Sequence, residues 1–407
     1  MRVMPPEGAH MASTTTAIQR NLSTPMLGLI WFGASVSLAE ILTGTFFAPL
    51  GLGLGIAAII IGHIIGCALF WLVSLASAQT GSSAMQAVGR SFGRIGSGAF
   101  SAANVLQLVG WTSIMVMSGG AAATLLVPAL GMAGWCIIIG ALIVLWIAIG
   151  VKRMGQVQSA AAVLLFALTF VVSATVFGSG APIPGMEDGS LSFGAAVELA
   201  AAMPLSWLPV AGDYTREAKD PGRGTALATI AYGIGSCWMF VIGLGCALYA
   251  GSDDVAAVLA QAGLGVVGIL VVVFSTVTTT FLDAQSAGVS ANAIWEKLDA
   301  RACGIAAAVL GTVLAIVAPV GDFEEFLYLI GSVFAPMATI VVVDYFVLHR
   351  DCSHDSIDVR NAALWVAGFI LYRFSLGWDI PCGNTLPVML IIAIVAIALD
   401  KLLSNRS

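Results

Sequence analysis

Charge is the scarcest property of this sequence. Asp, Glu, Lys and Arg make up 9% of its 407 residues, and 59% are apolar. Soluble domains carry about 25% charged residues, because a surface that meets water must be covered. So few charges cannot cover a globule of this length, which excludes a water-soluble fold. Lipid asks no charge of the surface it meets.

Other absences narrow the reading further. The net charge is -6 and no basic stripe suits nucleic acid. The seven cysteines are scattered, most within apolar runs, and no pair has metal-site spacing. They read as small packing residues, not as a disulfide or zinc framework. No GxxxxGK[ST] run offers a fused ATPase, and no HExxH or GxSxG set offers a membrane-embedded enzyme. A repeated filter sequence and a ring of charges are also missing, which argues against a channel. If the protein moves a solute, the energy comes from an existing gradient. The "GLGLG" run at 51–55 lacks the strand and spacing of a nucleotide fingerprint and reads as the tight connection between two spans.

What is present is a series of apolar runs long enough to span a bilayer. They lie at 26–50, 53–76, 96–127, 132–150, 157–178, 193–213, 225–249, 263–290, 302–319, 325–348, 361–377 and 386–400. Backbone groups in lipid must be satisfied internally, so these twelve runs are helices or broken helices. The polar stretch 1–25 reads as a cytoplasmic tail, and the first run as a membrane helix rather than a signal segment. The 46 glycines suit close helix packing through small residues.

Charge supports the count. With the N-terminus in the cytoplasm and sides alternating, 15 of the 16 Lys and Arg residues fall in cytoplasmic segments, among them Arg90, Arg94, Lys152, Arg153, Arg216, Arg350 and Arg360. The exception is Arg373, in or at the end of the eleventh span. The opposite side carries Glu187, Asp188, Asp253, Asp254, Asp322, Glu324, Glu325 and Asp379. Positive residues retained in short cytoplasmic loops give this pattern. The expected topology is twelve spans with both termini, including the tail 401–407, in the cytoplasm.

Ionisable groups at membrane depth cost several kcal/mol unless buried in the bundle or hydrated. Glu40 lies in the first span within "WFGASVSLAEILTG", among small and polar residues that favour local unwinding. It reads either as a substrate or ion ligand or as a neutral packing acid. Asp283 follows Ser275, Thr276, Thr278, Thr279 and Thr280 in the eighth span. Hydroxyls bonded back to their own helix explain each Ser or Thr, but not the acid beside them. Glu198, in the outer part of the sixth span, reads as a ligand or a gate. His63 reads as a packing or hydrogen-bonding histidine, Asp344 as a helix-end or salt-bridge acid, and Asp213 with Arg216 as a local ion pair. Gln107 and Trp111, four apart, share one face of the third span. An amide and an indole suit a flat ring, though the indole also suits ordinary packing. Pro204 and Pro209 flank Trp207 and are expected to break the sixth span near mid-membrane, freeing backbone groups for a ligand.

Three stretches carry a family likeness: "WFGASVSLAEILTG" at 31–44, "WLPVAGDYTR" at 207–216 and "TTTFLDAQSAG" at 278–288. The chain resembles the nucleobase:cation symporter-1 family, and within it the permeases for hydroxymethylpyrimidine, a thiamine precursor. The resemblance implies an all-α polytopic membrane protein with a LeuT-like fold. Residues 26–178 and 193–348 would form two inverted five-helix repeats, and 361–400 two appended helices. It implies symport driven by Na+ or H+, with no other cofactor, in the cytoplasmic membrane of a bacterium. The cation site would lie near Ala34 and Ser37, facing Ser275, Thr278 and Thr279. Substrate would sit between spans one, three, six and eight, where Glu40, Gln107, Trp111, Glu198, Trp207 and Asp283 are the expected ligands. Gln107 and Trp111 match the family's polar-plus-aromatic pair in reversed order, and Asp283 stands where sodium-coupled relatives place an asparagine. The expected partners are a small heterocycle and the bilayer, with no obligate protein partner. A symporter of another small solute, such as an amino acid, is the alternative on the same fold.

Overall fold

The computed structural model describes residues 20–149, 151–178, 189–250, 265–317 and 323–404. Glu187, Asp188, Asp253, Asp254 and Asp322 lie outside these residues. The first span is two helices, α1 (Thr24–Ser35) and α2 (Leu38–Thr45), bent by 50°. α3 (Gly51–Thr80), α4 (Ala84–Leu126), α5 (Gly131–Ile149) and α6 (Val151–Gly178) follow. The sixth span is α7 (Phe193–Ser206) with α8 (Leu208–Thr215). Then come α9 (Pro221–Ala250), α10 (Gly265–Ile294), α11 (Ala300–Val317), α12 (Phe323–Val343), α13 (Val359–Ser375) and α14 (Thr385–Ser404). Among the described residues eight helices are long and apolar enough to cross a membrane, and the bent α1–α2 pair makes a ninth. α6, α10 and α13 complete the series of twelve where the hydropathy places them.

Local chemistry sets several of these ends. Ser23, Ser83 and Ser192 cap α1, α4 and α7 by accepting from backbone N–H groups of the first turn. At α4 the cap is reciprocal, because the Gln86 side chain accepts from the Ser83 N–H at 2.8 Å. That cap starts α4 at 84, twelve residues before the hydropathy does, and the helix turns sharply at Gly93 (φ 73). The "GLGLG" run is the first turn of α3, not a connection, since the chain reverses one step earlier at 48–50.

The packing has an exchange symmetry. α1 and α2 lie on α9, α7 and α8 lie on α3, and α4 runs along α10. First against seventh and sixth against second is the swap that two interlocked five-helix repeats produce. Small residues permit it. A Cβ on Gly62 would stand 2.4 Å from the Val197 carbonyl oxygen, and one on Gly243 2.0 Å from that of Ile41. At those two crossings the helix backbones themselves touch.

The loops sort by charge. At one end, the segment before α1 pairs with the α8–α9 connection, through Leu22 N–H to Glu217 and Lys219 N–H to Leu22. Arg90 pairs with Asp351 at 2.8 Å, and the Cys352 N–H donates to the Arg90 carbonyl. Arg350 and Arg360 gather Asp344, Asp358 and Asp400 from three elements. Several of the basic segments assigned to the cytoplasm are thus in contact with a neighbouring one. At the other end Arg373, the exception in the charge pattern, pairs with Glu325 at 2.5 Å. Asp344 is the salt-bridge acid the sequence suggests. Asp213 differs from expectation: its carboxylate accepts from the Ala84 N–H at 3.1 Å, and Arg216 makes no ion pair with it among the described residues. The free N–H groups and dipole at the start of α4 hold that acid.

Candidate functional site

The first span opens because α1 stops at Ser35 and two residues leave helical geometry, Val36 (φ -92, ψ 83) and Ser37 (φ -141, ψ 162). Ser37 then restarts the helix, its hydroxyl accepting from the Glu40 N–H at 3.4 Å. A small cavity lies against this break. Its wall includes Ala34, Ser37 and Glu40 from the first span, Trp111 from α4, Ser206 and Trp207 from the sixth span, and Thr279 and Asp283 from α10. All of these residues are buried. Four spans that are distant in sequence therefore meet at one chamber, as expected.

The chamber's polar groups are incompletely paired. Asp283 is 5% exposed and its carboxyl finds no hydrogen-bond donor among the described residues. Among the described residues the Trp111 indole nitrogen and the Gln107 amide oxygen are buried without partners. Trp111 is held edge-on by Phe323 and Phe326, with ring centroids 5.6 and 5.5 Å away. Gln107 stands one layer behind the wall, and its amide nitrogen donates to the Ser206 carbonyl at 2.9 Å and to Asn104 at 2.7 Å. That contact explains the sixth span. As expected, the helix ladder is interrupted at Trp207, between α7 and α8, although Trp207 keeps helical dihedrals (φ -87, ψ -10) and 193–215 runs on without a sharp bend. Val210 bonds back to Trp207 instead of Ser206, and Gln107 takes up the released Ser206 carbonyl. Asn104, which sequence reasoning missed, donates to the Pro209 carbonyl and to Ser290. Its place one turn before Gln107 was the available signal.

Part of the hydroxyl cluster of α10 faces the same break. Ser275 donates to the Val36 carbonyl at 3.4 Å, Thr279 lines the cavity, and Thr278 donates to its own helix at Ser275. The Thr276 hydroxyl instead lies against Gly119 of α4, and among the described residues neither it nor the Thr280 hydroxyl has a hydrogen-bond partner. Neutral oxygens beside an unwound backbone suit a hard monovalent cation.

A family model described as a permease for cytosine/purines, uracil, thiamine, allantoin matches residues 15–397. The chain belongs to this permease family. Membership places it among transporters rather than enzymes. The Bacillus subtilis (strain 168) protein YxlA, which carries a provisional purine-cytosine permease name, is 28% identical over 224 residues, 53% of this chain. The match spans about half of that relative's length, 48%. Among solved structures, Mhp1, a nucleobase-cation-symport-1 family transporter in a closed conformation with bromovinylhydantoin bound, aligns with TM-score 0.78 and 19% identity. That match covers 94% of this chain and 93% of Mhp1. A Na+-coupled sialic acid symporter aligns with TM-score 0.67 and 13% identity over 93% of this chain and 89% of its own. These likenesses establish the LeuT-type architecture.

One of the permease's buried ionisable residues lies away from its predicted role. Glu198 does not line the cavity. Its carboxylate accepts from the Tyr372 hydroxyl, from the Thr385 hydroxyl at 2.6 Å, and from the Asn384 and Thr385 N–H groups at 2.6 and 2.7 Å. It fastens the sixth span to α13 and the start of α14, from which all four donors come. His63 is the hydrogen-bonding histidine the sequence suggests: its Nδ1 is 2.8 Å from the Ile59 carbonyl and its Nε2 2.6 Å from the Ser236 hydroxyl. Glu40 reaches the same hydroxyl at 2.5 Å and accepts from Tyr232 at 2.9 Å.

Proposed function

We propose that this permease imports a small amino-substituted heterocycle, hydroxymethylpyrimidine or a related nucleobase, by cation-coupled symport across the cytoplasmic membrane of a bacterium. The single observation that carries this reading is the Asp283 carboxyl, buried in the cavity wall with no donor supplied by the described protein. Buried polar groups are nearly always paired, so an unpaired one in a chamber points to a ligand that pairs it. An aminopyrimidine has a matching edge. Its exocyclic amine donates to the carboxylate, and a protonated carboxyl also donates to the adjacent ring nitrogen. The Trp111 N–H and the Gln107 oxygen, unpaired beside the chamber, add one donor and one acceptor. Trp207 and Glu40 complete the wall. Glu198 serves as an outer fastening of the sixth span.

Coupling is assigned to the break in the first span. Ala34 and Ser37, with Ser275, Thr278 and Thr279, form the candidate sodium site. A cation bound there would tie the geometry of the break to α10, which carries Asp283. The repeats are 26–178 and 193–348, with 361–400 appended and both termini in the cytoplasm. The test is counterflow of labelled hydroxymethylpyrimidine in proteoliposomes, with cytosine, allantoin and L-amino acids as competitors, run with and without a sodium gradient. Competition by heterocycles alone supports the reading. Competition by amino acids alone replaces it with the alternative, an amino acid symporter on the same fold.

A further inference from the structure

A second cavity lies at the end that holds Arg373 and Glu325, away from the break in the first span. Its volume is about 200 Å³, against about 20 Å³ for the central chamber. One water needs about 10–15 Å³ on this measure. The central chamber as it stands therefore has room for little more than a water, whereas the second cavity has room for a ring. Its wall comes from three places: Ser192 at the start of α7, Tyr328 on α12, and Trp378, Asp379 and Asn384 between α13 and α14. That connection is fixed by its own hydrogen bonds. The Trp378 N–H donates to the Ser375 carbonyl and the Gly383 N–H to the Ile380 carbonyl, both at 2.8 Å. Glu198 then holds the Asn384 and Thr385 N–H groups. Close approach to α7 sets where it sits, since a Cβ on Gly194 would stand 2.2 Å from the Ile380 carbonyl oxygen and 3.1 Å from Asp379 Oδ1.

The cavity offers acceptors without donors. Among the described residues the exposed Asp379 carboxylate accepts no hydrogen bond and joins no ion pair. It is not the cap of α7, because Ser192 already accepts from the Ala195 N–H at 3.2 Å. Asn384 is 4% exposed; its amide nitrogen donates to the Ser375 carbonyl, and its amide oxygen has no donor among the described residues. Trp378 is 58% exposed. An indole at a bilayer surface is an ordinary interfacial anchor. Anchoring accounts for Trp378, but not for two acceptors without donors at a cavity beside it. A carboxylate and an amide oxygen between two aromatic side chains suit a flat ring that carries an amine, which can donate to the acid while the ring packs on the indole. The excess of acids in the loops of this end favours the approach of such a ligand in its protonated form.

We infer that this cavity is an outer capture site for an amino-substituted aromatic ring, occupied by the transported heterocycle before it reaches the central chamber. The inference rests on the transport reading for the identity of the ring. α12 joins the two places: Tyr328 lines the outer cavity, and Phe323 and Phe326 on the same helix hold Trp111 at the central one.

The experiment titrates hydroxymethylpyrimidine into purified protein labelled with 5-fluorotryptophan, with the Trp378 fluorine resonance assigned through Trp378→Phe. The resonance should shift saturably in the parent, and with the same midpoint in Asp283→Asn, which weakens only the central chamber. Asp379→Asn, a change at an exposed position, should raise the midpoint by about tenfold, the size of one lost charge-assisted hydrogen bond. The analogue with hydrogen in place of the amine should bind the parent more weakly by a similar factor. No saturable shift at Trp378, or a midpoint that Asp379→Asn leaves unmoved, overturns the capture site. A shift produced by phosphatidylethanolamine vesicles, with none added by the pyrimidine, also overturns it, because a lipid ammonium is then the occupant. Counterflow tests the transport reading separately. Counterflow without a Trp378 shift overturns the capture site alone. A Trp378 shift without counterflow upholds an amine site and faults hydroxymethylpyrimidine as the transported solute.

Discussion

The Ser275 hydroxyl donates to the Val36 carbonyl across 3.4 Å, joining α10 to the point where the first span comes apart. A carbonyl released from a helix keeps its partner here only through another span, so the two elements must move together or separate. A cation bound between them would strengthen that link. Ser275→Ala and Thr279→Ala each remove one oxygen from the candidate site. Both should raise the half-saturating sodium concentration by about tenfold, the size of one lost hydrogen-bond-strength contact. Substrate affinity at saturating cation should change less, because the two ligands share only a coupling free energy. Uptake assayed over a sodium series is the check, and unchanged sodium dependence in both variants would remove α10 from the ion site.

That α10 meets the cavity was legible from sequence, because back-bonding accounts for its hydroxyls but not for the acid beside them. The span order was legible too, since hydropathy and loop charge are both one-dimensional signals. The break at Val36 was less so. Ser37 and Glu40 have the S-x-x-E spacing that starts a helix, and that spacing inside a membrane run marked the restart. What stayed hidden was direction. Spacing along α7 cannot say that Glu198 faces α13 and α14 while Trp207 faces the cavity. Nor can it pair His63 with Ser236, 173 residues away. The interruption of the sixth span was anticipated from its two prolines, but not that Gln107, from another helix, takes up the Ser206 carbonyl released there.

Glu198 yields a prediction opposite to that for a ligand. Four donors converge on its two oxygens, all from α13 and the start of α14. Glu198→Gln replaces one acceptor by a donor that faces other donors. Stability should fall by about 1–3 kcal/mol, the cost of mismatched buried hydrogen bonds. Thermal unfolding in detergent should show the loss, while hydroxymethylpyrimidine affinity at a temperature where both proteins are folded stays at the parent value. A large affinity loss at equal folded fraction would return Glu198 to the site.

At the end assigned to the cytoplasm, Asp358 works in the same way. Burial raises its pKa, but the Asn361 N–H, Cys352 and Arg350 outweigh this and hold it below the ordinary 3.8. A carboxyl depressed on folding contributes stability that is fully present above its unfolded value and is lost as pH falls through the folded value. The contribution should therefore be constant through neutral pH and fade only below 3.8. Asp358→Asn should remove that acid-side slope from a stability–pH curve, leaving Arg350 with its more distant partners Asp344 and Asp400.

Topology can be checked without function. In a low-cysteine background, single cysteines in the 179–191 and 250–262 loops should label from outside, and those in the 77–95 segment only after permeabilisation. The basis is the shared end occupied by Arg90, Arg350 and Arg360. External labelling of the 77–95 segment would invert the assignment.

Asp283 gives the sharpest separation between a ligand and a packing acid. It is buried in the cavity wall, lacks a donor among the described residues, and stands one turn after Thr279 on the helix that meets the first-span break. Asp283→Asn keeps volume and polarity, so an acid that only filled space would tolerate it. The amide cannot carry charge or exchange a proton, and it turns one acceptor into a donor. Against an aminopyrimidine, that donor would face the exocyclic amine. The expected loss is about 1–3 kcal/mol, or roughly 5- to 150-fold in affinity. The loss should be large for hydroxymethylpyrimidine and small for an analogue in which hydrogen replaces the amine, because only the first presents the clashing donor. The measurement is a binding series with both ligands on parent and Asp283→Asn proteins of matched thermal stability. Equal losses would show that Asp283 acts through the cation or the helix. With no loss for either ligand, Glu40, the other carboxyl in the chamber wall, would become the ligand to test.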